Sequence, residues 1–95
     1  MVDRAVRVIQ SAAFARAYKK LHNQQKVSVD DAVQYIVKHP EVGTQKRGDL
    51  SGVYVYKFKA QSQETLLAYE YDPQTRYLLL LGTHENFYRD LKRKI

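Results

Sequence analysis

The stretch Val53–Leu81, VYVYKFKAQSQETLLAYEYDPQTRYLLLL, decides the fold. Val53–Ala60 is rich in β-branched and aromatic residues and alternates: Tyr54, Tyr56, Phe58 and Ala60 point one way, Val53, Val55, Lys57 and Lys59 the other. Gln61-Ser62-Gln63 is a polar turn, and Thr65–Tyr71 is a second strand. In Asp72-Pro73-Gln74-Thr75 proline sets φ and aspartate can bond its own backbone, so this is a turn with a mechanism. Arg76–Leu81 is a third strand. Three strands with such short connections predict an antiparallel meander.

Working outward toward the N-terminus, Glu41–Gly52 holds three of the four glycines and reads as loop. Before it, Pro40 stops a helix at or before His39. That helix carries the stripe Val29, Ala32, Val33, Ile36 and Val37, with Ser28 as its expected N-cap and Asp31 three residues on. His22-Asn23-Gln24-Gln25 is expected to close an earlier helix, capped by Ser11, whose apolar face is Phe14, Ala17, Tyr18 and Leu21. Ala5–Gln10 reads as a short edge strand. Beyond the meander, Glu85–Lys94 is basic and helical in tendency. The order β-α-α-β-β-β-α predicts an α+β fold: an N-terminal helical hairpin packed on a small antiparallel sheet, with the helices on one sheet face.

Composition limits the chemistry. The 95 residues suit a single domain, residues 1–95. With no Cys, a disulfide scaffold, an iron–sulfur cluster, Cys-ligated zinc and thiol catalysis are excluded. The longest apolar run is the four leucines Leu78–Leu81, too short for a membrane span. The N-terminus lacks a long apolar core for a secretory signal, so the cytoplasm is the expected location. Sixteen Lys and Arg against ten Asp and Glu leave a formal charge of +6, which favours an acidic partner: nucleic acid, an acidic protein or an anionic surface.

Three features could carry function. In GTHENFYRDLKRK, residues 82–94, His84 shares a helical face with Tyr88 and with Phe87. A histidine titrates near neutrality and can move a proton during RNA cleavage, while aromatic rings can stack on a base. The plainer reading is that His84 follows the strand end and that Phe87 and Leu91 anchor the helix in the core. Lys57 and Lys59 lie on one strand face, where they can hold a phosphate or simply face solvent. Basic residues are otherwise spread over Arg16, Lys19, Lys20, Lys26, Lys46, Arg47, Arg89, Lys92, Arg93 and Lys94, which suits a polyanion and equally an ordinary solvated surface. Glu70, mid-strand, is either solvated or a candidate base. The histidines His22, His39 and His84 show no metal-ligand spacing, so no metal is expected.

The element order, the Leu50-Ser51-Gly52 lead into the meander, Tyr56–Lys59, Leu67–Tyr71 and above all GTHENFYRDLKR resemble the RelE/ParE superfamily, the toxins of bacterial type II toxin–antitoxin pairs. The resemblance spans nearly the whole chain and implies a RelE-like fold with a basic groove on the sheet. One branch cuts mRNA on the ribosome; the ParE branch inhibits DNA gyrase and cuts nothing. Lys57 and Lys59 match the strand lysines that RelE uses near the scissile phosphate. Gly82-Thr83-His84 followed by Tyr88 matches the end of YafQ-like nucleases. Where RelE has an arginine on the middle strand, this chain reads Leu66-Leu67-Ala68-Tyr69.

The resemblance thus favours a metal-independent endoribonuclease (an mRNA interferase) that needs no cofactor, the alternative being a gyrase inhibitor of the same fold. It implies His84, Tyr88, Lys57 and Lys59 as catalytic residues. Phe87, Arg89, Lys92, Arg93, Lys46 and Arg47 would contact RNA. A cognate acidic antitoxin and mRNA on the ribosome, or else gyrase, would be the partners, and no membrane.

Overall fold

The computed structural model describes residues 6–85 and 87–94. The chain runs β1 (Arg7–Gln10), α1 (Ala12–Lys19), α2 (Asn23–Lys38), β2 (Thr44–Gln45), β3 (Tyr54–Ala60), β4 (Gln63–Asp72), β5 (Thr75–Gly82) and α3 (Phe87–Lys94). The expected edge strand is present as β1; its first expected residue, Ala5, lies outside the described residues. The α+β architecture is as expected, with two differences in the sheet. It has five strands in the order β1-β5-β4-β3-β2. It is also mixed: β3, β4 and β5 form the antiparallel meander, but β1 pairs parallel to β5 along Thr75–Leu78. The additional strand, β2, lies inside the expected Glu41–Gly52 loop and pairs with Tyr54 and Val55. Two residues are too short to leave a periodic signature.

The helices do not all lie on one face. Against the hairpin, Phe14, Val29 and Ile36 pack with Leu67, Tyr69, Leu78 and Leu81. On the opposite face α3 contributes Phe87 and Leu91 to a second cluster with Leu50, Val53, Val55, Leu66, Ala68 and Leu80. The expectation of one covered face fails because the sheet is apolar on both sides. A bulge makes this compatible with four consecutive leucines. The β4–β5 register shifts so that Ala68 faces Leu80 and Tyr69 faces Leu78, leaving Leu79 as the extra residue. Leu78 and Leu81 then serve the hairpin cluster, while Leu79 and Leu80 serve the α3 cluster.

Ser11 caps α1 as expected: its Oγ accepts from Phe14 N–H at 3.0 Å and donates to the Leu79 carbonyl at 2.6 Å. Ser28 is not a cap. Helix α2 begins at Asn23, its N-cap His22 lying six residues before the expected one, and His22 N–H donates to Gln25 Oε1 at 3.1 Å. The polar run expected to end α1 is instead the first turn of α2, because polar side chains are tolerated on its exposed side. The helix ends at Lys38, before Pro40. Its last carbonyls are satisfied from β5. Arg76, 4% exposed, donates to Ile36 and Val37 oxygens at 3.2 and 2.9 Å, and to those of Asp72 and Thr75 at 2.7 and 3.1 Å. A guanidinium at the negative end of a helix dipole, with its donors on carbonyls, is stabilised without a carboxylate partner.

Candidate functional site at the sheet and the last helix

After β5, Gly82 leads into Thr83-His84-Glu85 and then α3, whose first N–H, on Phe87, donates to the His84 carbonyl at 3.3 Å. Phe87 and Leu91, one helical turn apart, point into the core and fix the rotation of α3. Tyr88, the next residue, is thereby turned toward the sheet and stays half-buried. It closes one side of a depression of about 300 Å³ that Val42, Thr44, Lys46, Val55, Tyr56, Lys57 and Leu66 also line.

The Tyr88 ring is the hub. Lys46 Nζ stands 4.9 Å from its centroid, a cation–π distance. The His84 ring meets it edge-on at 6.0 Å, and the buried Phe87 ring supports it edge-on at 5.3 Å. Lys57 enters from β3, with its ammonium 3.7 Å from Glu64; both side chains are largely exposed, so solvent screens that pair. Two lysines and one phenol therefore converge on a concave polar surface with a floor of Val55 and Leu66, and one exposed imidazole stands beside it against the Tyr88 ring.

The remaining expected residues divide. Lys59 shares the strand face of Lys57 but lies two residues further toward the β3–β4 turn and does not line the depression. Phe87, expected to touch RNA, is 2% exposed in the core; it positions Tyr88 and has no face for a base, as the plainer reading held. Arg89, Lys92 and Arg47 are exposed. Arg93 lies on the other flank of α3, lining a separate groove with Arg16, Lys20 and Asp90. The Lys94 side chain lies outside the described residues. Glu70 is half-buried opposite Tyr77 and lies away from the depression. Among the described residues, no His, Asp and Glu side chains cluster as a metal site. No helix among them is long and apolar enough to cross a membrane.

Sequence reasoning missed how Thr44 and Val42 frame the site, because β2 is so short. It also gave Arg76 no role, because nothing local marks a residue that caps a helix forty positions away.

The arrangement is thus a five-stranded sheet with an N-terminal hairpin on one face and a basic depression beside a C-terminal helix on the other. The family model for the ParE-like toxin of type II bacterial toxin–antitoxin systems matches residues 8–92, and the chain belongs to that family. Solved structures share the fold. An E. coli RelE mutant in the free state has a TM-score of 0.73 at 13% identity, covering 95% of this chain and 93% of that one. The toxin in the intact E. coli RelBE toxin–antitoxin complex gives 0.68 at 17%, over 85% and 99%. A RelBE-type toxin–antitoxin complex from Mycobacterium tuberculosis gives 0.68 at 21%, over 84% and 99%. No curated protein matches the chain by sequence. The ParE-like family match and the RelE-like fold thus fall on the same residues.

Proposed function

We propose that this toxin is a ribosome-dependent mRNA endoribonuclease that stops translation, held inactive by a cognate acidic antitoxin. The observation that supports cleavage is the convergence of Lys46, Lys57 and Tyr88 on one depression, with His84 against the edge of the Tyr88 ring beside it. Transesterification of RNA needs a cationic cradle, a general acid and a base, all within reach of one phosphodiester. Lys46 and Lys57 supply the cradle, offsetting charge that builds on the phosphoryl oxygens. The 2′-oxygen bonds to phosphorus as the P–O5′ bond breaks, leaving a 2′,3′-cyclic phosphate. His84, as imidazolium, gives its proton to the departing 5′ oxygen. The 2′-OH proton goes to a base, for which the Tyr88 oxygen, as phenolate, is the candidate inside the depression. Glu70, outside it, is not carried forward. The nucleophile belongs to the RNA itself, so the step calls for no metal. Lys59, Arg89, Lys92 and Arg47 remain as contacts to the phosphates of flanking nucleotides.

The partner reading draws support from the solved relatives, which include toxin–antitoxin complexes, and from the +6 charge that an acidic chain would offset. The ParE-like family match keeps a second reading in view, a gyrase inhibitor that cuts nothing. Primer extension on an mRNA translated in a purified system, run beside a gyrase supercoiling assay, separates them. Cleavage lost in His84→Ala is the expected result; unchanged cleavage in that variant removes the acid assignment, and inhibited supercoiling without cleavage removes the nuclease.

A further inference from the structure

The edge of the sheet at β1 has a chemistry unlike that of the candidate site. β1 lies at the end of the strand order and pairs only with β5. Arg7 N–H donates to the Gln74 carbonyl and Ser11 N–H to the Leu78 carbonyl, both at 2.9 Å, so Arg7, Ile9 and Ser11 turn their backbone groups inward. In a strand those of alternate residues share a side, so the N–H and C=O of Val8 and Gln10 point outward. Among the described residues, no strand pairs with them there. The side chains of this edge are apolar. Val8, Ile9 and Tyr77 are 40%, 38% and 36% exposed, three of the five large apolar side chains left exposed among the described residues. Ile9 is the register partner of Tyr77, on the face away from the hairpin, whereas Val8 and Gln10 border a depression of about 210 Å³ on the hairpin face. The centre of β1 carries none of the charge, proline or bulge that blunts a free edge.

We infer that β1 pairs antiparallel with β1 of a second copy of this chain, about a two-fold axis normal to the sheet through Ile9, so that the two sheets become one. Such an axis keeps each side chain on its own face, so one residue of β1 must lie on it. With Ile9 there, Val8 of each copy stands opposite Gln10 of the other, and every N–H of these residues finds a carbonyl. Ile9 meets Ile9, flanked by Tyr77 of each copy, and Arg7 meets Ser11 rather than a like charge. Val8 on the axis would instead set Arg7 against Ile9. On the hairpin face, Gln10 of the second copy lies over the depression that Asp30 and Gln34 line with Val8. Charge favours the copy over an acidic partner, which would find only Arg7 to pair with in this strand. The contact uses the same surface on both copies and closes at two. β3 and the Tyr88 depression lie beyond β5 and β4, so pairing leaves both candidate sites open.

This inference goes beyond the nuclease reading and does not depend on it. A strand of four residues makes a small contact, so the dimer is weak, with a Kd of about 10 μM or above. Sedimentation equilibrium of the full chain is expected to give the monomer mass when dilute and to approach twice that mass well above the Kd. Over the same range amide exchange at Val8 and Gln10 is expected to slow at least tenfold, while Ile9, bonded to β5, stays unchanged. The chain has no Cys, so a single substitution reports the register. In a non-hydrogen-bonded antiparallel pair the Cα atoms stand about 4.5 Å apart, within disulfide reach. Ile9→Cys is therefore expected to oxidise to a covalent dimer at least tenfold faster than Lys59→Cys, at an exposed position on β3. Val8→Pro removes an outward N–H where an edge strand tolerates proline, and Ile9→Lys sets lysine against lysine on the axis. Each is expected to weaken association tenfold or more, and the second, at an exposed position, guards against misfolding of the first. A mass that stays monomeric to about 1 mM, equal cross-linking rates, association that survives either variant, or assembly beyond two copies overturns the proposal. So does protection of Val8 and Gln10 that appears only when an acidic peptide is added. None of these measurements involves mRNA, so a dimer that cuts nothing loses the nuclease reading alone, and a monomer that cuts loses the dimer alone.

Discussion

The two faces of the sheet bury similar clusters but finish them differently. Beneath the hairpin, the large side chain at the centre is Tyr69, fully buried, and both functions of its hydroxyl are used: it donates to the Pro40 carbonyl at 2.6 Å and accepts from Gly43 N–H at 3.0 Å. A Cβ on Gly43 would lie 2.7 Å from that hydroxyl, so the backbone approaches as closely as only glycine permits. Beneath α3 the analogous ring, Tyr88, is left half-open with a lysine on its face and a histidine on its edge. The lesson is that one residue type serves structure or site according to whether its polar atom finds a protein partner. Tyr69 finds two, and its hydroxyl is inert.

Breaking this contrast should give effects of decreasing size. Phe87 and Tyr88 are neighbours on opposite sides of the divide. Phe87→Ala removes a ring from the α3 cluster and is expected to cost about 3–5 kcal/mol in denaturant unfolding. His84→Ala is expected to leave that unfolding curve within about 0.5 kcal/mol of wild type and to slow mRNA cleavage about 10²–10⁴-fold, the usual contribution of a general acid. Next comes Tyr69→Phe, which strands the Pro40 carbonyl and the Gly43 N–H and is expected to cost about 1–3 kcal/mol.

That variant also has a pH signature. Burial pushes the Tyr69 phenol up to about 12 from its ordinary value of 10.0. A raised value means that the folded state favours the neutral phenol. The resulting stability is fully present below pH 10.0 and is lost as pH rises toward about 12. Tyr69→Phe is expected to flatten the alkaline limb of stability over that interval, read by circular dichroism across a pH series; an unchanged slope would show that other groups set it. The smallest effect lies at the β3–β4 turn, where Gln61 and Ser62 hold φ of 54° and 67°. Both are in the left-handed region that non-glycine residues adopt at a cost. Ser62→Gly relieves a left-handed cost of about 1–2 kcal/mol against about 0.4–1 kcal/mol of added unfolded-state entropy, and is expected to raise stability slightly, seen as a higher melting temperature.

The meander was legible because its strands are long, alternate and are joined by polar turns with Asp-Pro chemistry. The Asp72 carboxylate bonds Gln74 N–H at 2.8 Å, as that dipeptide implies. The start of α2 was misplaced because Ser28 has the right residue type for a cap. At an exposed position within a helix it instead bonds back to the Gln24 carbonyl, at 3.4 Å. At the site, His84, Tyr88 and Lys57 could be singled out from residue type and spacing. Their convergence with Lys46 could not, because Lys46 reaches Tyr88 from a loop forty-two positions earlier in the chain.

By itself, then, the sequence determined the meander, the edge strand β1, the existence of the hairpin, the basic excess and the family likeness, all of which are written in local periodicity, residue type and charge. Only the tertiary structure decided which face each side chain serves. A single-residue bulge at Leu79 reassigns four identical leucines between two cores. The burial of Phe87, rather than any motif, turns Tyr88 toward the lysines. Side chains alternate across a strand and rotate around a helix. Their final direction therefore depends on what the neighbouring element buries, and that is a property of the packed molecule.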